Sequence, residues 1–468
     1  MKNPPVDVER VIVKKFLLRL APFLAILYVF CLIDRSNVSL AALSMQPDLH
    51  FSDRVYGFGA GIFFLGYFLF EVPSNLILER VGARMWIARI MLTWGAISAA
   101  MMFVKSPISF YTMRFLLGIA EAGFFPGVVL YITYWVPATS RAWAMSRFLA
   151  LTAILGLFGP FLGGLLLEMN GMLGLAGWQW LFLLEGLPSI ALALVVLGVL
   201  PDRPADAKWL TDDEKRWLDT RLEAETKHEH AVQHLTIWTA LSEWRILHLC
   251  LIFIISSTAG NAVGFFGPKL IKERSGGLWS DSNISYVMVI PAIVGAISMS
   301  LAAAHSDRTG RRQQHVLVGY LIAALGFLFC VYAPGPGTTV AALALNTLGE
   351  RIGAGSYWAL TTNLLGARAA AGGIAMINSI GNLGGFFGPY FNGWLIQVTG
   401  SYRGGLFTAV GLMVVAAILA ALLRRQPVYE RPVEAPPRDE DHLMRPAGAQ
   451  RPIDNPSVDT TLVNDDEP

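Results

Sequence analysis

The sequence predicts an all-α polytopic membrane protein, with twelve transmembrane helices arranged as two pseudo-symmetric six-helix halves. Three observations carry that prediction: a charge-poor composition, a series of apolar stretches of spanning length, and two motifs that recur at one offset. Of 468 residues, 54% are hydrophobic and 15% charged, where a soluble domain carries about 25% charged residues. Roughly twelve spans of about 20 residues would absorb about 240 residues, most of the apolar complement. A cytosolic enzyme, a disordered chain and a nucleic-acid binder are thereby excluded. The formal net charge of +2 points to no acidic partner. Cys31, Cys250 and Cys330 lie in apolar runs, with neither a disulfide framework nor zinc-site spacing.

The charged lead-in, residues 1–20, runs into an apolar segment without a small-residue cleavage pattern, so it reads as an uncleaved first span. Apolar stretches bounded by charge or by Pro/Gly clusters then place the first six spans near 20–43, 56–78, 86–104, 108–133, 145–167 and 179–200. The second six are expected near 247–271, 284–304, 314–333, 338–364, 372–398 and 404–424. Abundant glycine (45 residues) suits close helix packing in lipid.

Orientation follows from the basic residues. Lys2, Arg10, Lys14, Lys15 and Arg19 precede the first span, and Arg80, Arg84, Arg141, Arg147, Arg308, Arg311, Arg312 and Arg368 sit in even-numbered connections. Lys269, Lys272 and Arg274 run against the trend, but the balance puts both termini in the cytoplasm.

Four segments follow: a first half at 1–200, a linker at 201–245, a second half at 246–424 and a tail at 425–468. In the linker, Thr211 and Glu214 form a capping-box pattern, with Trp217, Leu218, Arg221 and Leu222 at helical spacing behind it. Short amphipathic helices on the cytoplasmic surface are expected there. His228, His230 and His234 have no further ligand beside them, so no metal site is expected. The tail is rich in Pro, Asp and Glu, a composition that predicts disorder.

The halves are read from an internal repeat. Glu79-Arg80-Val81-Gly82-Ala83-Arg84 recurs as Asp307-Arg308-Thr309-Gly310-Arg311-Arg312, and the Gly156-x-Phe158-Gly159-Pro160-x-x-x-Gly164 pattern recurs from Gly385 to Gly393 at nearly the same offset. Two such halves face each other across a midplane site and rock to alternate access.

The repeated loops resemble the signature loop of the major facilitator superfamily. Asp34-Arg35-x-Asn37 in the first span, and Arg114 to Gly127 in the fourth, are similar to its anion:cation symporter family. Gly61 to Asn75, and Gly177 to Phe182, look like that family's bacterial branch of organic-acid permeases, whose members carry galactonate, tartrate, phthalate, hydroxyphenylacetate and nicotinate-type acids. The resemblance spans the whole twelve-helix region and is weakest over 250–370.

Charges inside lipid cost several kcal/mol unless they meet a partner or a wet cavity. At about 1.5 Å per residue, Asp34, Arg35 and Glu121 fall about 20 Å deep and Arg114 about 9 Å deep, so the four are expected to line one cavity. Arg35 and Arg114 suit an anionic substrate, because guanidinium grips carboxylate bidentately. Asp34 and Glu121 suit proton coupling, because a carboxyl in a dry site can load and release a proton near neutral pH. The resemblance implies the same roles. Tyr67, Ser356, Trp358, Asn378, Asn382 and Arg351 are further candidates for touching the substrate. Glu350-Arg351 is expected near mid-membrane, and Glu71 and Glu185 nearer the cytoplasmic ends as braces. Glu79, Arg80, Gly82, Arg84, Asp307, Arg308, Gly310, Arg311 and Arg312 read as gating latches between helices.

The function expected is proton-coupled uptake of a small organic anion (a mono- or dicarboxylate, hydroxy or sugar acid, or aromatic acid) by a monomer in a bacterial inner membrane. No cofactor beyond the proton gradient, no metal and no nucleic acid is expected. An anion exchanger or uncoupled facilitator is the nearest alternative, and a non-transporting solute sensor a more distant one. No nucleophile–base pair suggests an enzyme.

Overall fold

The protein is described by a computed structural model covering residues 6–230 and 244–423, with the side chains at 6–7, 226–230, 363, 366–372 and 375 outside that description. His228, His230, His234, Arg368 and the 425–468 tail therefore lie outside what is described below.

Among the described residues, ten helices are long and apolar enough to cross a bilayer. They are Ala21–Leu49, Asp53–Val81, Ala83–Phe103, Pro107–Thr133, Ala138–Leu167, Gly177–Val199, Trp244–Arg274, Asp281–Thr309, Arg312–Tyr332 and Arg403–Leu422. These are spans one to nine and twelve. The tenth and eleventh lie in the helical run Pro336–Asn382 and its continuation Gly384–Thr399. At about 1.5 Å per residue that run would reach about 70 Å, twice the hydrocarbon thickness. It doubles back instead: a Cβ on Gly373 would lie 2.9 Å from the Leu365 side chain, whereas eight residues of straight helix span about 12 Å.

Several spans are longer or more broken than their apolar runs indicate. The first continues to Leu49 through Pro47, and Gln46 donates to the carbonyls of Phe51 and Ser52 to secure the turn that follows. The fourth span is interrupted directly after Glu121. Gly123 takes φ +85°, and Ser74 Oγ donates to the Ala122 carbonyl at 2.6 Å. A side chain at 123 would collide with Ser74, so glycine is needed there twice over. The fifth, eighth and eleventh spans break at Leu157, Met288 and Leu383.

An extra helix, Val6–Arg19, precedes the first span, where the sequence showed only a charged lead-in. It buries Ile12, Val13 and Phe16. The linker helix Asp212–His230 starts with the expected capping box, Thr211 N–H donating to Glu214 and Glu214 N–H to Thr211 Oγ1. It docks on the first half: Lys15 Nζ is 2.7 Å from Glu214, Glu225 accepts from Ala138 N–H and pairs with Arg141, and Trp209 stacks on Trp135. The face carrying these two helices is termed the linker face below.

Two buried apolar cores underlie the spans. One runs from Ile12 to Leu218, joined by Phe265, Phe266 and Ile396; the other runs from Ile246 to Ala420, joined by Leu43. They meet along glycine seams. On the second span, a Cβ at Gly57 would overlap the Pro389 carbonyl, and one at Gly61 would lie 2.7 Å from the Phe386 carbonyl. The eleventh span's Gly384 sits as closely on the seventh. With no hydrophobic drive between helices in lipid, such close backbone approach supplies the packing that joins them. Most of the polar ties between the halves lie toward the face opposite the linker, and one, Asn378 and Ser379 on Glu71, lies nearer the linker face. Lys269 pairs with Asp53, Tyr56 donates to the Phe265 carbonyl, Lys272 to the Leu43 carbonyl, and Ser285 to the Pro160 carbonyl.

Candidate functional site: a central cavity with a buried polar flank

A cavity of about 610 Å³ lies between the two cores. The first span contributes Arg35, Ser36 and Ser39 to it; the seventh contributes Phe253, Ser256, Ser257 and Asn261; the tenth contributes Asn346, Thr347, Glu350 and Arg351. The tenth-span residues fall at helical spacing on one stripe.

Arg35 reaches from the cavity wall to Glu121. Its Nε is 3.0 Å from Glu121 Oε1, its Nη2 pairs with the same oxygen, and Cys31 Sγ lies 3.2 Å away. Glu121 is completely buried, and its Oε2 has no hydrogen-bond partner among the described residues. The break after Glu121 ends the helix there and lets its side chain meet the first span.

Only Arg35 of the four expected cavity residues lines the cavity; Asp34, Arg114 and Glu121 are all 0% exposed. They form a polar flank inside the first half. Asp34 turns away from Arg35, as helix neighbours about 100° apart must. It accepts from Trp94 Nε1 and Ser98 Oγ, both at 2.6 Å, with Asn37 and Ser189 farther off. Arg114 donates to the carbonyls of Gly59 and Ala60, both at 3.3 Å. The Phe63 ring lies 4.9 Å from its guanidinium and 5.4 Å from that of Arg35, so an aromatic ring stands between Arg114 and the cavity.

The weaker candidates also move. Tyr67 is buried, with Arg35 over its ring at 5.0 Å. Ser356 is buried off the cavity with an Oγ that has no partner among the described residues, and Trp358 stands edge-on to Phe253 at 5.2 Å, behind the cavity wall. Asn378 and Ser379 donate to the two oxygens of Glu71, a tie between the eleventh and second spans. Asn382 sits beside the break at Leu383 and does not line the cavity. Of the expected second-half substrate residues, Arg351 alone reaches the cavity. Glu185, expected near the cytoplasmic end, is instead buried next to Asp34, because the sixth span starts from the opposite face only eight residues earlier. Depth arithmetic places a residue along a helix axis, but it does not say which neighbour shields it.

The repeated loops differ in their pairing. Gly82 and Gly310 both take positive φ, +95° and +65°. Arg84 pairs with Asp202 just past the sixth span, at 3.3 Å. Arg312 pairs with Asp307 within its own loop and donates to the Ala359 carbonyl on the tenth span. Glu79, Arg80, Arg308 and Arg311 are exposed. Gln313, which the sequence reading passed over, donates to three carbonyls at the end of the twelfth span.

A halved helical bundle around a polar midplane cavity is the architecture of a secondary transporter. The chain belongs to the Major Facilitator Superfamily, whose family description matches residues 24–278 and 249–456. It is 46% identical over 419 residues to an Agrobacterium vitis protein named "Putative tartrate transporter", covering 90% of this chain and 96% of that one. It is 39% identical over 434 residues to a "Quinolone resistance transporter" of Acinetobacter baumannii, covering 92% and 100%. Among solved structures, a bacterial homologue of the human lysosomal transporter Spinster, inward-facing and occupied, superposes with TM-score 0.68 at 19% identity, over 86% of this chain and 95% of that one. That likeness concerns the fold alone. The chain is a membrane-spanning transporter of this superfamily.

Proposed function

We propose that the protein is a proton-coupled symporter taking up a small organic anion across a bacterial inner membrane by alternating access. The observation that carries this reading is the Arg35–Glu121 pair, a guanidinium at the cavity wall held by a carboxylate whose second oxygen is buried without a partner. A proton arriving on Glu121 weakens its hold on Arg35 and frees the fork for a substrate carboxylate. Loss of the proton restores the pair and expels the anion. Substrate and proton are thereby linked through one guanidinium. Asp34, in its cage of donors, is a second proton-coupling candidate, and Arg114 supports the second span against the fourth.

The larger number of ties opposite the linker supports a conformation that opens toward the linker face, with Glu71, Asn378 and Ser379 as the tie that must release on that side. The distribution of Lys and Arg supports a cytoplasmic linker face, with both termini there. The relative named for tartrate supports a carboxylate substrate. A monomer with no cofactor completes the reading, and the repeated loops act as latches in the opposite conformation.

The purified protein reconstituted in vesicles tests this. An inward proton gradient should drive accumulation of a carboxylic acid, with alkalinisation outside on substrate addition. Glu121→Gln should abolish accumulation and leave counterflow. Full accumulation by Glu121→Gln would move the proton role to another group such as Asp34, and uptake indifferent to the proton gradient would replace the symporter with an exchanger or uncoupled facilitator.

A further inference from the structure

The coupling just described uses neither Glu350 nor Arg351, although both stand in the wall of the cavity. Both are seated by glycines. The Arg351 stem runs along the eighth span where Gly295 leaves room, a Cβ there lying 3.2 Å from Arg351 Cγ. The Glu350 carboxylate presses on the seventh span at Gly260, where a Cβ would lie 2.8 Å from Oε1. That Oε1 is buried without a hydrogen-bond partner among the described residues, and Asn346 and Arg351 both act on the carboxylate. Arg351 itself makes no hydrogen bond or contact ion pair among the described residues, and Glu350 is the carboxylate that shares its field. Each half therefore presents one guanidinium to the same space, Arg35 from the first span and Arg351 from the tenth.

A guanidinium inside a membrane protein whose donors make no hydrogen bond calls for an acceptor. A monocarboxylate held by Arg35 would leave Arg351 without one. Between them, Ser36, Asn261, Asn346 and Thr347 offer hydroxyls and amides, and Glu350 offers an acceptor.

We propose that the cavity takes a small dicarboxylate bearing hydroxyls between its two carboxylates, one carboxylate on Arg35 and the other on Arg351, with a hydroxyl donating to Glu350. The proposal rests on the organic-anion reading above and adds the second anchor. It makes Arg351 the residue that selects two-headed substrates, and Glu350 the one that selects hydroxylated ones.

Uptake of tartrate, succinate and lactate by the full chain in vesicles tests this. The unaltered protein should prefer tartrate to succinate, and succinate to lactate. Arg351→Gln should lower the apparent affinity for both diacids about tenfold or more, the loss expected for one charge-assisted contact. Its lactate uptake should fall far less than its diacid uptake, and a thermal-unfolding temperature matching that of the unaltered protein should show that the variant folds. Glu350→Gln should narrow the gap between tartrate and succinate. Equal losses for lactate and the diacids in both Arg351→Gln and Arg351→Lys would overturn the proposal, as would an unaltered protein that takes lactate as well as tartrate. Failure to transport any of a wider panel of carboxylic acids would instead remove the organic-anion reading beneath it.

Discussion

Arg35 divides its donors between Glu121 and the cavity, whereas Arg114 gives Nε and Nη2 to the carbonyls of Gly59 and Ala60 and buries Nη1 with no partner among the described residues. The two guanidiniums are alike in sequence context and unlike in use. Arg114→Lys should therefore act mainly on folding, because an ammonium cannot span both carbonyls from one fixed geometry. A stability loss of about 1–3 kcal/mol is expected in detergent unfolding. Substrate affinity in the surviving folded fraction should stay near that of the unaltered protein. A large affinity loss at full stability would bring Arg114 back to the substrate. Asp34 makes a different prediction. Asn at this position can accept from Trp94 through its oxygen and donate its amide to Ser98 Oγ, but Leu leaves both buried polar groups orphaned, at about 1–3 kcal/mol each. Thermal unfolding should place Asp34→Leu well below Asp34→Asn.

At the scale of elements, glycine seams and charged docking govern different contacts. Gly57 packs so closely on the eleventh span that a side chain would overlap the Pro389 carbonyl. Gly57→Val should hold the face opposite the linker apart. Cysteines placed in the central cavity should then react faster with a thiol reagent applied from that face, while transport falls. The linker helix is held by polar contacts instead. Partial burial alone would raise the Glu214 carboxyl, but Lys15 and Thr211 outweigh it and keep it below the ordinary carboxylate range. Burial would likewise raise the Glu9 carboxyl, but hydrogen bonds from Ser140 and Thr139 outweigh it and keep that group low as well. A depressed folded-state value means that the stabilisation is present above the ordinary carboxylate range and fades as pH falls through the lowered one. Docking of the two surface helices should hold from neutral pH down to about pH 5 and weaken below about pH 4. Limited proteolysis of the linker across that range checks this. Cleavage that rises between pH 7 and pH 5 would assign the docking to other groups.

At the scale of the whole molecule, the halves and their spans were legible in the sequence because lipid imposes a simple code. A segment that crosses must be long, apolar and helical, since no water satisfies its backbone. That requirement made the spans countable, and the repeated acid-Arg-x-Gly-x-Arg loops and Gly-rich motifs announced the pairing of halves. Arg35, Glu121 and Arg351 could be named for the same reason, because a charge in an apolar run is conspicuous. What the sequence could not decide is who shields whom. The Phe63 ring between Arg114 and the cavity, the donor cage around Asp34, the neighbouring burial of Glu185 and the capture of Asn378 by Glu71 all join residues from different spans. Helical periodicity assigns each of them a depth and a bearing on its own axis. The rotation of each helix against its neighbours is set by packing among all of them, down to single glycines at the seams. That collective packing decided which of the membrane-buried charges face the cavity and which are sealed within the first half.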